Sequence, residues 1–145
     1  MNPTRDSGRS PAVEVVIPSD VAEARLIQDQ IEQLLQSCCA HEKDVFGIRL
    51  ALEEALVNAI KHGNQMDRSK TVKVVSFVQA ERFEVHVTDE GTGFDPGDVP
   101  DPTAVENIER PCGRGLMLMR HYMNEVAYNA SGNSVSMSRV LGNAN

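Results

Sequence analysis

Glu54 and Asn58 stand four residues apart in the stretch Glu54-Ala-Leu-Val-Asn58-Ala-Ile-Lys61-His62-Gly63. Four residues is just over one helical turn, so an acid and an amide project from the same face, about 6 Å apart along the axis. Leu52, Ala55, Leu56, Ala59 and Ile60 surround them with the side chains of a buried helix. A polar pair on such a helix needs a chemical reason. An amide oxygen at Asn58 suits magnesium, which takes oxygen ligands, keeps several waters and is completed by substrate phosphates. A carboxylate at Glu54 suits the orientation and deprotonation of a hydroxyl or water attacking a γ-phosphate. Glu53 points about 100° away and fits that face less well. Lys61 and His62 bring positive charge either to phosphates or to the negative end of the helix dipole.

A second constellation is Asp89-x-Gly91-x-Gly93-Phe94, which follows a strand pattern directly. Glycines two apart let backbone approach a flat ligand, and a carboxylate at the base of the loop can accept from an exocyclic amine such as adenine offers. A third is Gly113-Arg114-Gly115-Leu116, read as the opening of a helix. Free N–H groups at a helix start form an anion site suited to phosphates, with Arg114 adding charge. Neither a G-x-G-x-x-G opening a helix nor a G-x-x-x-x-G-K-[ST] is present, which excludes the Rossmann and P-loop modes of nucleotide binding.

The elements that must carry these residues follow from periodicity. Residues 13–17 alternate as a strand closed by Pro18, and Ser19 and Asp20 are helix caps. Residues 21–37 carry Ala24, Leu26, Ile27, Ile31, Leu34 and Leu35 at helical spacing. A second helix spans 42–62, weakened at Gly47 and stopped by Gly63. Residues 64–69 read as polar loop, and 71–78 and 83–88 as two strands joined by a hairpin turn. A long segment, 97–112, has the length of a lid, with a short helix over 103–108. A third helix and two closing strands, 126–129 and 135–140, end the chain. Strands in adjacent pairs predict a mixed, mostly antiparallel sheet covered on one face by about three helices: a two-layer α/β (α+β) sandwich.

At 145 residues the chain is expected to be one domain over 12–145, behind a disordered lead-in of 1–11. Charged residues at 24% and hydrophobic residues at 41% are ordinary for a soluble globular protein. A net charge of -7 without a basic stripe argues against nucleic-acid binding. Cys38, Cys39 and Cys112 are odd in number and lack zinc-site spacing, so reduced thiols are expected. No signal-peptide core or membrane-length apolar run is present, and a cytoplasmic location is expected.

The three constellations, in this order and with a lid before the third, resemble the GHKL ATPase superfamily of gyrase-type ATPases, histidine kinases and the heat-shock chaperone. Glu54-x-x-x-Asn58 is similar to its N box, Asp89-x-Gly91-x-Gly93 to its first glycine box, and Gly113-Arg114-Gly115-Leu116 to its second. Within it the chain resembles most the small bacterial anti-sigma-factor serine/threonine kinases. Their N box is closely matched by residues 54–63, and their stretch after the second box by residues 113–126. The resemblance covers about residues 13–140 and implies the Bergerat-type ATP-binding fold, with ATP and Mg2+ as cofactors. It implies that the chain binds a sigma factor and phosphorylates a serine or threonine on a small antagonist protein. Glu54 would be the general base, Asn58 the magnesium ligand and Asp89 the adenine contact. Gly91, Gly93, Gly113 and Gly115 would shape the nucleotide loops, and Arg25 on the first helix would face protein partners. Homodimers occur in the related kinases. The alternative is a regulatory module that binds ATP and sequesters a partner without catalysis.

Overall fold

The computed structural model describes residues 12–38, 40–79, 81–91 and 111–141, with backbone alone for 111–114. The expected lead-in, Gly93 and the lid up to residue 110, with its short helix, lie outside the described residues. The elements are β1 (Val13–Pro18), α1 (Val21–Ser37), α2 (Glu42–Val57) with a π-helical turn (Asn58–Gly63), β2 (Thr71–Gln79), β3 (Arg82–Asp89), α3 (Pro111–Tyr122), β4 (Glu125–Tyr128) and β5 (Ser134–Val140).

Five strands form one sheet in the order β1-β2-β3-β5-β4, and all four pairings are antiparallel. The mixed sheet expected from sequence is therefore antiparallel at every pairing among the described residues. Alternation explains its two faces. Val72 and Val74, Phe83, Val85 and Val87, and Val135 and Met137 are buried toward the helices. The outer face carries Arg82, Glu84, His86, Ser136 and Ser138, with His86 bridging the Glu84 carboxylate (2.5 Å) and the Ser136 hydroxyl (2.8 Å). Pro18 is tolerated because β1 is an edge strand.

All three helices lie on the other face. Asp20 caps α1 by accepting from the Ala22 N–H at 2.8 Å. Ser19, expected to share that role, is instead fully buried and donates to the Lys70 carbonyl. Ala24, Ile27, Ile31 and Leu35 face the core, whereas Leu26, counted with them from spacing, is 60% exposed. Helix α2 is buried along most of its length, through Val45, Ile48, Ala51, Leu52, Ala55 and Leu56, because it packs against both α1 and α3. Each fully buried leucine or isoleucine there is worth about 1.5–3 kcal/mol of transfer free energy.

Gly47, expected as a weak point, allows close packing. A Cβ there would stand 3.1 Å from the Tyr122 ring and 3.3 Å from Arg139. Beside it, buried Asp44 accepts from Arg139 Nε at 2.9 Å, and Arg139 Nη1 donates to the Tyr122 carbonyl. One guanidinium thus ties α2, α3 and β5 together.

Two element boundaries differ from expectation. The second helix is α-helical only to Val57 and continues as a π-turn over Asn58–Gly63, where the Asn64 N–H reaches back five residues to the Ala59 carbonyl at 2.8 Å. The third helix starts at Pro111 and not at Gly113, since proline is pre-organised for a first helical position whose N–H is unused. Gly113 and Arg114 then lie inside its first turn.

Candidate functional site

Helix α2 and its π-turn supply one wall. Glu54 and Asn58 converge on Gly115 of α3: a Cβ on Gly115 would stand 2.7 Å from Asn58 Nδ2 and 2.9 Å from Glu54 Oε1. Glycine lets the α3 backbone come this near without displacing the far ends of those two side chains. The buried end of the Asn58 amide, assigned as Nδ2, has no hydrogen-bond partner among the described residues. An unpartnered buried amide is rare and costly, and calls for an incoming polar group, to which a half-turn of the amide presents either its N–H groups or its oxygen. Leu116, next in α3, is buried, so its side chain offers only an apolar contact.

Beyond Asn58 a cavity of about 710 Å³ opens between α2 and α3, within the range of ligand pockets. Glu54, Asn58, Lys61 and His62 line it on one side, and Met117 and His121 on the other. The structure therefore brings four of the expected residues together and adds Met117 and His121, which the sequence marked only as part of an amphipathic helix.

The other end lies at Gly63, nine residues after Glu54 and five after Asn58, about 13 Å and 7 Å along the axis. There Gly63 meets Asp89. A Cβ on Gly63 would stand 2.3 Å from the Asp89 carboxyl carbon, and one on Gly91 would stand 2.0 Å from the Gly63 carbonyl oxygen. Read from sequence only as a helix stop, Gly63 is what allows the Asp89 loop to seat on the end of the helix. Asp89 Oδ1 accepts from the Gly91 N–H at 2.7 Å, which leaves Oδ2 as an acceptor for a ligand. Burial raises the Asp89 pKa, opposed by the Gly91 hydrogen bond and by the charge of Lys70.

Two further residues hold this end. Asn133, in the turn before β5, donates its Nδ2 to the Asp89 carbonyl at 3.1 Å, and its own carbonyl accepts from the Asp89 N–H at 2.9 Å. Glu90 bonds the Thr71 N–H and hydroxyl, both at 2.6 Å, which lowers its pKa. Neither had a sequence signal beyond turn composition.

Arg25 is not part of this constellation. It is exposed on α1 and lines a separate, smaller cavity with Gln28, Arg49 and Glu53. Gly113 and Arg114 lie on the α3 backbone at the site's edge; the Arg114 side chain is outside the described residues.

Comparison with known proteins decides the family. A model of the histidine kinase-like ATPase domain matches residues 17–139. The chain belongs to that family. The chain is 34% identical over 107 residues to the serine-protein kinase RsbW of Bacillus licheniformis, covering 68% of this chain and 66% of the relative, just under two thirds. It is 27% identical over 136 residues to the serine-protein kinase RsbW of Bacillus subtilis strain 168, covering 89% and 85%. The solved RsbU and RsbW domains of Rv1364c from Mycobacterium tuberculosis superpose with a TM-score of 0.60 at 17% identity, over 92% of this chain and 34% of that one. That last likeness establishes the fold. The GHKL-type resemblance and the two-layer architecture are thereby confirmed, and kinases of this family are what the chain is similar to.

The donor set fits an ATP–magnesium complex of such a family. The orphaned Asn58 amide, the carboxylate beside it and the two glycine approaches at Gly63 and Gly115 are the features a nucleotide and its metal would use. Among the described residues no group of three or more His, Cys, Asp or Glu could hold a metal, whereas magnesium bound mainly through phosphates and water needs only one or two protein oxygens. No helix among the described residues is long and apolar enough to cross a membrane.

Proposed function

We propose that the protein is an ATP-dependent serine/threonine kinase that doubles as an anti-sigma factor, phosphorylating a small antagonist protein to control sigma-factor availability in the cytoplasm. The observation that carries this reading is the convergence of Glu54 and the unpartnered Asn58 amide on Gly115, with the Asp89 loop seated on the end of the same helix at Gly63. Bound ATP–Mg2+ supplies the transferable phosphoryl group and the charge that stabilises its transfer. Asp89 accepts a hydrogen bond from the adenine amine, and Gly91 and Gly93 shape the loop around the base. The Asn58 carbonyl oxygen ligates magnesium. Lys61, His62 and Arg114 place positive charge near the phosphates, and Gly113, in the first turn of α3, gives them a backbone N–H, while Gly115 keeps that helix close to Asn58 and Leu116 adds an apolar contact. Glu54 accepts the proton of the incoming serine or threonine hydroxyl. Arg25, exposed and apart from this site, faces the protein partners.

Transfer from γ-labelled ATP with magnesium to a candidate antagonist from the same genome neighbourhood tests the reading. Label on the antagonist with wild type and none with Glu54→Ala is expected. ATP bound by the wild type with no label on any antagonist would instead make the chain a sequestering module.

A further inference from the structure

Asn64, the residue after the π-turn, is completely buried although it follows directly on the exposed Lys61 and His62 segment. Its side chain uses every hydrogen-bonding atom. Nδ2 donates to Ser19 Oγ and to the Thr71 carbonyl, both at 2.9 Å, and Oδ1 accepts from the Glu90 N–H at 2.8 Å. Its own N–H bonds the Ala59 carbonyl, inside the π-turn. The next two residues, Gln65 and Met66, both take left-handed backbone (φ 54 and 61), which non-glycine residues adopt at a cost. That reversal turns the chain back while leaving the Asn64 side chain inside.

We propose that Asn64 is a positioning residue that fixes the distance between the two ends of the nucleotide site. This rests on the reading of Asp89 as the adenine contact. Through its backbone Asn64 belongs to the helix that presents Glu54 and Asn58, and through Oδ1 it holds the peptide that follows Asp89. Asn133 holds the Asp89 peptide from the opposite side. A primary amide suits the task because it offers two donors and one acceptor in one plane. Ser19 is an anchor for Asn64: it accepts from Nδ2 and passes its own proton to the Lys70 carbonyl. Losing Ser19 costs stability but leaves the Asn64–Glu90 bond in place.

The test compares Asn64→Ala with Ser19→Ala in the full chain, reading ATP–Mg2+ affinity by calorimetry and amide exchange of Glu90 by NMR. Both variants are expected to melt earlier. Only Asn64→Ala should weaken ATP, by about tenfold or more, and speed Glu90 exchange by about the same factor, the scale of one lost hydrogen bond to a buried group. Glu90→Pro deletes the same bond from the donor side with Asn64 still anchored, and should weaken ATP as well. Folded Asn64→Ala or Glu90→Pro binding ATP as wild type does would overturn the proposal, as would Ser19→Ala weakening ATP as much as Asn64→Ala. A wild-type chain that binds no ATP defeats the nucleotide reading itself. The tie then stands or falls on whether Glu90 exchange accelerates in Asn64→Ala.

Discussion

Asp89 carries a carboxyl group whose pKa burial pushes above the ordinary 3.8, with the Gly91 N–H pulling the other way. A raised native pKa means the folded chain holds that proton more tightly than the unfolded one. Its contribution to stability is therefore full below the unfolded value and is lost as pH rises through the native value. On the proposed role of Asp89, ligand binding runs in the opposite sense, because only the ionised carboxylate would accept from the adenine amine without a proton of its own. ATP affinity is thus expected to fall on acidification, starting at a higher pH than an ordinary aspartate would give. Titrations from pH 7 downward would show it, and flat affinity to below 3.8 would contradict it. Gly115 makes a second prediction. A methyl group there meets only the mobile ends of Asn58 and Glu54, so Gly115→Ala should fold normally. It should lower phosphoryl transfer by about 10²-fold, the scale of a 1 Å misplacement, and assays at saturating ATP would read the loss. Glu54 and Asn58 were legible in the sequence because one helical turn fixes their relation. The approach of Gly63 to Asp89 was not, since 26 residues separate them and no local pattern encodes the contact.

At the scale of elements, α2 carries both the core and the site, and its supports are datable to particular side chains. Arg139 is the clearest: it pairs with Asp44, whose side chain is 2% exposed, and caps the Tyr122 carbonyl at the end of α3. Replacing it removes the Arg139 pairing from a buried carboxylate, a loss of up to about 3–5 kcal/mol. Arg139→Met should therefore lower the denaturant midpoint by that equivalent, and an unchanged midpoint would show the pair to be dispensable. Helix α2 was legible from its apolar spacing, but its π-turn was not. The residues of a π-turn have the same types as those of an α-helix, so no local pattern marks the wider turn that the Asn64 N–H closes on the Ala59 carbonyl. The start of α3 at Pro111 was missed for a related reason. Gly113 and Gly115 were read as a helix opening, when Gly115 serves the contact with α2 and the helix already has its proline at the first position.

Across the whole molecule, adjacent strand patterns at 71–78 and 83–88, and again at 126–129 and 135–140, were enough to predict hairpins and a two-layer sandwich. They did not say that β5 would lie between β3 and β4, an order set by which edge of the central hairpin the second one joins. That order places Asn133, at the start of β5, against Asp89, so the topology itself completes the base end of the site. On the proposed function, one helix then presents Glu54 and Asn58 for transfer and, through Gly63, seats the loop that contacts the base. Calorimetric titration of ATP–Mg2+ into wild type, Glu54→Ala and Asp89→Asn tests this most directly. Wild type and Glu54→Ala are expected to bind alike, with binding abolished or greatly weakened in Asp89→Asn; equal binding by Asp89→Asn and wild type would contradict the account.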